Sequence, residues 1–163
     1  MESSLLVNII FFEAILVFVS LPAFLLGLKF EGNSPSKRLW FEPAGIMIPI
    51  VWIVLFGLLA TLQSKLFGMD MSEMAFNVFT LALVCAMYPY YTLGLEKATG
   101  ISAIKFGLLG NGLILMVSLW LASQVGQISP QLAYFVFPLV VWTAYTTFVL
   151  IGRIRLMRGV SID

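Results

Sequence analysis

Histidine is absent from the 163 residues, and cysteine occurs once, as Cys85. No disulfide can close within the chain, and the imidazole and thiolate sets that hold structural zinc or haem iron cannot be assembled from it. Charge is scarce as well: Asp, Glu, Lys and Arg make up 10% of the residues, against about 25% in soluble domains. Paired catalytic carboxylates, a nucleophile beside a base and a glycine-rich phosphate loop are all missing from the sequence, so hydrolytic and nucleotide-dependent chemistry is not expected. The net charge is +1 and there is no long basic run, which speaks against nucleic acid as a partner. No cofactor is obligatory on this reading, and any small molecule must be held by shape, stacking and hydrogen bonds.

What is present is apolar. Hydrophobic residues make up 61% of the chain and the mean hydropathy is +1.03, the composition of a protein solvated by lipid. A spanning helix needs about 20 mainly apolar residues. Five segments fit: Leu5 to Leu28, Pro43 to Lys65, Met74 to Leu95, Ile101 to Ser123 and Gln131 to Gly152. Short linkers between them predict an all-α, five-helix transmembrane bundle in a single domain over residues 1–163. The first segment follows "MESS" rather than a basic stretch, and its apolar run exceeds that of a signal peptide, so it is expected to stay as a span. With five spans, Lys29, Lys37, Arg38, Lys97, Lys105, Arg153, Arg155 and Arg158 fall on one side and only Lys65 on the other. That bias predicts a cytoplasmic C-terminus, or its organellar equivalent, and an N-terminus outside. The host would be the cell membrane or a thylakoid or mitochondrial one.

The longest linker, "KFEGNSPSKRLWFE" at 29–42, is amphipathic and reads as an interfacial loop or as a lid over the bundle. Trp40 within it and Trp120 near the far end of the fourth span suit the headgroup zone. Trp52 and Trp142 do not. Counted along a helix from Glu42, Trp52 lies about 15 Å in, and Trp142 lies about 16 Å from Arg153 on the same side. An indole N–H at such depth needs a partner that lipid tails cannot supply, so both rings should face the bundle interior. Pro49 precedes Trp52 by three residues and Pro138 precedes Trp142 by four, which puts each proline on the face of its tryptophan. Prolines inside these helices should bend them and free backbone carbonyls. Two readings stand: large side chains wedged between helices, or the walls of a pocket for a flat apolar ligand.

The stretch "WFEPAGIMIPIVWIVLFGL", residues 40–58, resembles the second-helix signature of the TspO/MBR family, the tryptophan-rich sensory or translocator proteins, close to W-x-P-P-G-x-x-x-x-x-V-W-x-x-L-[FY]. "FPLVVWTAYTTF", residues 137–148, resembles the fifth-helix signature of that family, P-[YF]-x-x-W-[ST]-x-[FY]-A-T. The resemblance implies a five-helix bundle, often a homodimer, whose pocket binds protoporphyrin IX or, in some members, sterols and other apolar ligands under the first loop. For some bacterial members it also implies light-dependent oxidative breakdown of the porphyrin, with two pocket tryptophans taking part; these match Trp52 and Trp142. On this basis Trp40, Pro43, Gly45, Pro49, Trp52, Tyr88, Pro138, Trp142 and Tyr145 are the expected ligand-binding residues.

The chain departs from the family pattern in three places. The paired proline is Pro43-Ala44, the position after the glycine is Ile46, and the third span reads "LALVCAMYPYYTLG" where the family commonly carries Gln, Asn and Trp. Apolar groups thus stand where pocket amides are usual. That change motivates a second reading, a structural or assembly subunit of a larger membrane complex, such as a photosynthetic one, that keeps the fold. A transporter is a weaker third, since Asn8, Glu13, Asn77 and Asn111 supply few intramembrane polar groups and no internal repeat is visible. No dedicated sterol site is expected, because Tyr145 lies eight positions before Arg153, beyond the reach of the cholesterol motif.

Other residues carry smaller expectations. Glu13, midway along the first span, should face the interior, protonated or hydrogen-bonded. Tyr88 to Tyr91 read as interfacial tyrosines, of which Tyr88 or Tyr91 could reach a porphyrin carboxylate. Gly107, Gly110 and Gly112 read as a close-packing face or a dimer seam, and Lys105 as a snorkelling lysine. Arg153, Arg155 and Arg158 set topology first.

Overall fold

A computed structural model describes residues 2–28 and 39–159, and every regular element among them is helical. In chain order these are α1 (Glu2–Leu25), α2 (Met47–Phe67), α3 (Ser72–Ala86), α4 (Leu95–Thr99), α5 (Ala103–Ile128), α6 (Pro130–Ala133) and α7 (Phe137–Gly159), with a wide π-type turn over Tyr90–Gly94 between α3 and α4. Leu5–Ala23, Met47–Phe67, Ala103–Ile128 and Pro130–Leu156 are each long and apolar enough to cross a membrane. Ser72–Ala86 with Tyr90–Thr99 adds a fifth if that pair, bent by 49°, is one span. Most of the first loop, with Lys29, Lys37 and Arg38, lies outside the described residues.

The prolines act differently from the expectation. α2 begins at Met47 and not at Pro43, so Pro49 is its third residue; Pro138 is the second residue of α7. In a first turn the backbone N–H has no helical acceptor to lose, and the fixed φ of proline suits the start of a helix. Both prolines therefore open helices rather than bending them. The bend falls at Pro89, within "YPYY". A proline there withdraws the donor that would serve the carbonyl of Cys85 four residues earlier, and α3 stops at Ala86.

Packing is closest between α5 and α7, followed by α1 with α2 and α2 with α3. The bent segment after α3 rests on α5, whereas α2 and α7 barely meet. Short turns are locally specified. Gly100, at φ +72°, ends α4 in the left-handed conformation that glycine adopts without strain, and its N–H returns to the Glu96 carbonyl. Ser102 then caps α5 through the Ile104 N–H, while the Glu96 carboxylate accepts from the Ala103 N–H at 2.9 Å. The buried core gathers at one end of the bundle: Phe12, Phe56, Leu59, Leu62, Leu66, Val78, Leu81, Leu121, Val125 and Leu139. Asn8 donates to the Ala60 carbonyl at 2.7 Å and Gln63 to the Ala75 carbonyl at 3.1 Å, so these two amides tie helices together in this end.

Candidate functional site

At the other end the helices part around a cavity of about 610 Å³, within the range of roughly 300–1,000 Å³ usual for small-molecule sites. Helical spacing makes its walls. On α7, Trp142, Thr146, Val149, Leu150 and Arg153 recur at steps of three and four and form one stripe. Ile48, Pro49, Trp52 and Ile53 from α2 and Leu16, Val17, Ser20 and Leu21 from α1 make further walls. Cys85, Ala86, Tyr88 and Pro89 come from α3 and its bend, Ile104 and Asn111 from α5, and Glu42, Pro43 and Gly45 from the segment leading into α2. From Trp142 to Arg153 the α7 stripe runs for about 16 Å.

Of the residues expected at a binding site, Pro43, Gly45, Pro49, Trp52, Tyr88 and Trp142 line this cavity. Three do not. Trp40 is 94% exposed, edge-on to Phe41 at 5.4 Å. Pro138 sits at the start of α7, a turn below Trp142. Tyr145 stands behind Trp142, ring to ring at 5.6 Å, and donates its hydroxyl to the Phe41 carbonyl. Trp52 stands one and a half turns into α2 rather than at the depth counted from Glu42, and its ring meets Phe56 edge-on at 6.1 Å.

The bend at Pro89 determines how the cavity is held open. Tyr88 and Tyr91 pack edge to face at 5.4 Å, and both press on α5 at glycines. A Cβ on Gly107 would stand 2.8 Å from the Tyr88 hydroxyl, and one on Gly110 would collide with the Tyr91 ring. Gly107 and Gly110 are thus seats for tyrosines of the same chain, as a close-packing face requires, and Gly112 faces open space. Tyr88, Tyr90 and Tyr91 are half-buried side chains of the bundle. Tyr90 instead ties the bend to α1, donating to the Val19 carbonyl at 2.8 Å.

Polar groups in the wall are few: Ser20, Glu42, Tyr88, Asn111, Thr146 and Arg153. The Asn111 amide donates to the Thr146 hydroxyl at 3.0 Å, and that hydroxyl turns its own hydrogen back to the Trp142 carbonyl at 3.0 Å. Because the hydroxyl has only one hydrogen to give, the amide must be the donor of the pair. An amide is therefore present in the cavity wall, supplied by α5 rather than by α3. Its position at helical spacing from Gly107 was the one signal available in the sequence, and it gave no hint of a wall. Glu42 and Arg153 form a salt bridge at the loop end, with Glu42 also accepting from the Leu39 N–H.

Glu13 is half-buried on the α1–α2 seam with its carboxyl group facing Gly57, outside the cavity lining. Among the described residues, no group of three or more His, Cys, Asp or Glu side chains converges to hold a metal. The cavity can enclose a flat apolar molecule, stack it on indoles and offer it an amide and a charged pair. Compared with protein-family models, curated proteins and solved structures, the chain matches none.

Proposed function

We propose that this chain is a membrane-embedded tetrapyrrole-binding protein of the TspO/MBR type, a five-helix bundle with its N-terminus outside and its C-terminus on the cytoplasmic side. It would bind protoporphyrin IX or a similar flat ligand to sense, sequester or move it. The observation that carries this reading is the cavity whose walls include both Trp52 and Trp142, the residues that match the two signature tryptophans. The outer faces of the helices support the membrane setting: Leu6, Val7, Ile10, Phe18, Leu109 and Met116 are exposed, an arrangement that lipid solvates and water does not. The basic side named by the Lys and Arg bias is the cavity end, where Arg153 lies.

Asn111 bears on the choice between readings. The apolar face of the third span suggested a subunit that had lost its pocket, yet the cavity is present and draws an amide from α5. Photo-oxidative breakdown of the ligand extends the proposal. It would require light, dioxygen and the bound porphyrin as sensitiser, with Trp52 and Trp142 as oxidisable rings beside it. In a titration of the detergent-solubilised protein with protoporphyrin IX, followed by the porphyrin absorbance band, the proposal expects saturable micromolar binding at a fixed stoichiometry. Linear, non-saturating uptake equal to that of empty micelles would refute it and leave the assembly-subunit reading.

A further inference from the structure

We infer that Arg153 changes partners on binding, from Glu42 to a carboxylate of the ligand, so that an acidic ligand loosens the segment 39–46 from α7. The inference rests on the tetrapyrrole reading and adds to it the ligand class, a flat molecule with an acidic side arm, and a consequence of occupancy. Both members of the Glu42–Arg153 pair line the cavity, and their side chains are 10% and 18% exposed. Leaving either charge in that wall without a partner is costly, so the exchange needs both a new acceptor for the guanidinium and release of the Glu42 carboxylate toward water. A ligand without a carboxylate therefore leaves the pair as it is. A ligand with one offers the guanidinium an equivalent acceptor, and the planar five-donor fork of arginine takes carboxylates readily.

Placement makes the exchange feasible. Arg153 ends the α7 stripe that begins at Trp142, so a macrocycle stacked at the tryptophans directs a side arm along the stripe to the guanidinium. Glu42 belongs to the segment that the exchange would free. Its carboxylate also accepts from the Leu39 N–H at 3.4 Å, which makes it part of a local turn rather than of α7. Neutral contacts also hold that segment: the Phe41 ring lies 5.1 Å from that of Phe148, and Leu39 and Phe41 sit over Gly152. Tyr145 adds its hydrogen bond to the Phe41 carbonyl. Loss of the Glu42–Arg153 fastening would loosen the segment without unfolding the bundle.

The test compares protoporphyrin IX with its dimethyl ester on the solubilised full chain, in wild type, Glu42→Gln and Arg153→Gln, with hydrogen exchange over residues 39–46 as the second readout. If Glu42 competes with the ligand, Glu42→Gln raises affinity for the acid about fivefold relative to the ester. Arg153→Gln removes the preference for acid over ester. In wild type the acid speeds exchange over 39–46 and the ester does not. Weakening of acid and ester in parallel by Glu42→Gln would overturn the inference, since the pair would then be a plain clasp. So would equal binding of acid and ester to wild type with unchanged exchange, a result that leaves the tetrapyrrole reading standing. Binding of neither compound by wild type would remove both. Should Arg153→Gln fail to fold, the sign of the Glu42→Gln effect decides alone.

Discussion

The two ends of the bundle are built from the same helices and differ in what those helices do with their side chains. At the closed end, Phe12, Phe56, Leu59, Leu62, Val78, Leu81, Leu121 and Val125 fill the space between α1, α2, α3 and α5, and amides such as Gln63 fasten one helix to the next. At the open end, α1, α2, α3, α5 and α7 each contribute to a cavity wall. The opening is not a packing fault. It is maintained by a bend at Pro89, by tyrosines seated on Gly107 and Gly110, and by a loop fastened to α7. The closed end thus provides stability, and the open end provides space at a fixed shape.

Substitutions at the two ends should therefore separate stability from binding. The largest loss of stability is expected from Leu62→Ala, a side chain with no exposed surface; truncation there should cost about 3 kcal/mol. Thermal denaturation in detergent should register it, while porphyrin affinity per folded molecule stays as in wild type. Gly110→Val should cost about 2 kcal/mol by overpacking against Tyr91 and, unlike the first, should also weaken binding, because the displaced ring moves with the bend beside the cavity. Calorimetry together with a ligand titration would separate these effects.

A matched pair of amides sharpens the comparison. Gln63→Leu and Asn111→Leu each remove one interhelix hydrogen bond and should each cost about 1 kcal/mol. Only Asn111→Leu should change ligand affinity, since only Asn111 stands in the cavity wall. If Gln63→Leu shifts affinity equally, the two ends are not separable. The smallest effect has the opposite sign. The Tyr91 hydroxyl is buried and has no partner among the described residues. Tyr91→Phe removes an unsatisfied polar group while keeping the ring on Gly110, and should raise stability by about 0.5–1 kcal/mol in the same melt.

What was legible in the sequence follows from which physical rules are local. Runs of about 20 apolar residues declare long helices by themselves; Trp52 and Trp142, expected as interior residues, do line the cavity, although the depth counted for Trp52 assumed a helix running from Glu42. Where α2 starts was not legible, because residues 43–46 are mostly apolar like the helix they precede. The effect of Pro49 and Pro138 depends on that unseen boundary: the same residue bends a helix in its middle and begins one in its first turn. The bend at Pro89 was hidden for the converse reason, since the tyrosines around it also fit an interfacial belt. Pairings across the fold, Glu42 with Arg153 and Asn111 with Thr146, need the arrangement of helices and cannot be read from spacing along one of them.

The most direct measurement is tryptophan quenching by protoporphyrin IX in wild type, Trp52→Phe, Trp142→Phe and the double variant. If the ligand lies between the α2 and α7 walls, each single substitution removes part of the saturable quenching and the double variant loses the largest share, because Trp52 and Trp142 are the tryptophans in the cavity lining. Full quenching retained in the double variant would place the ligand elsewhere and contradict the account.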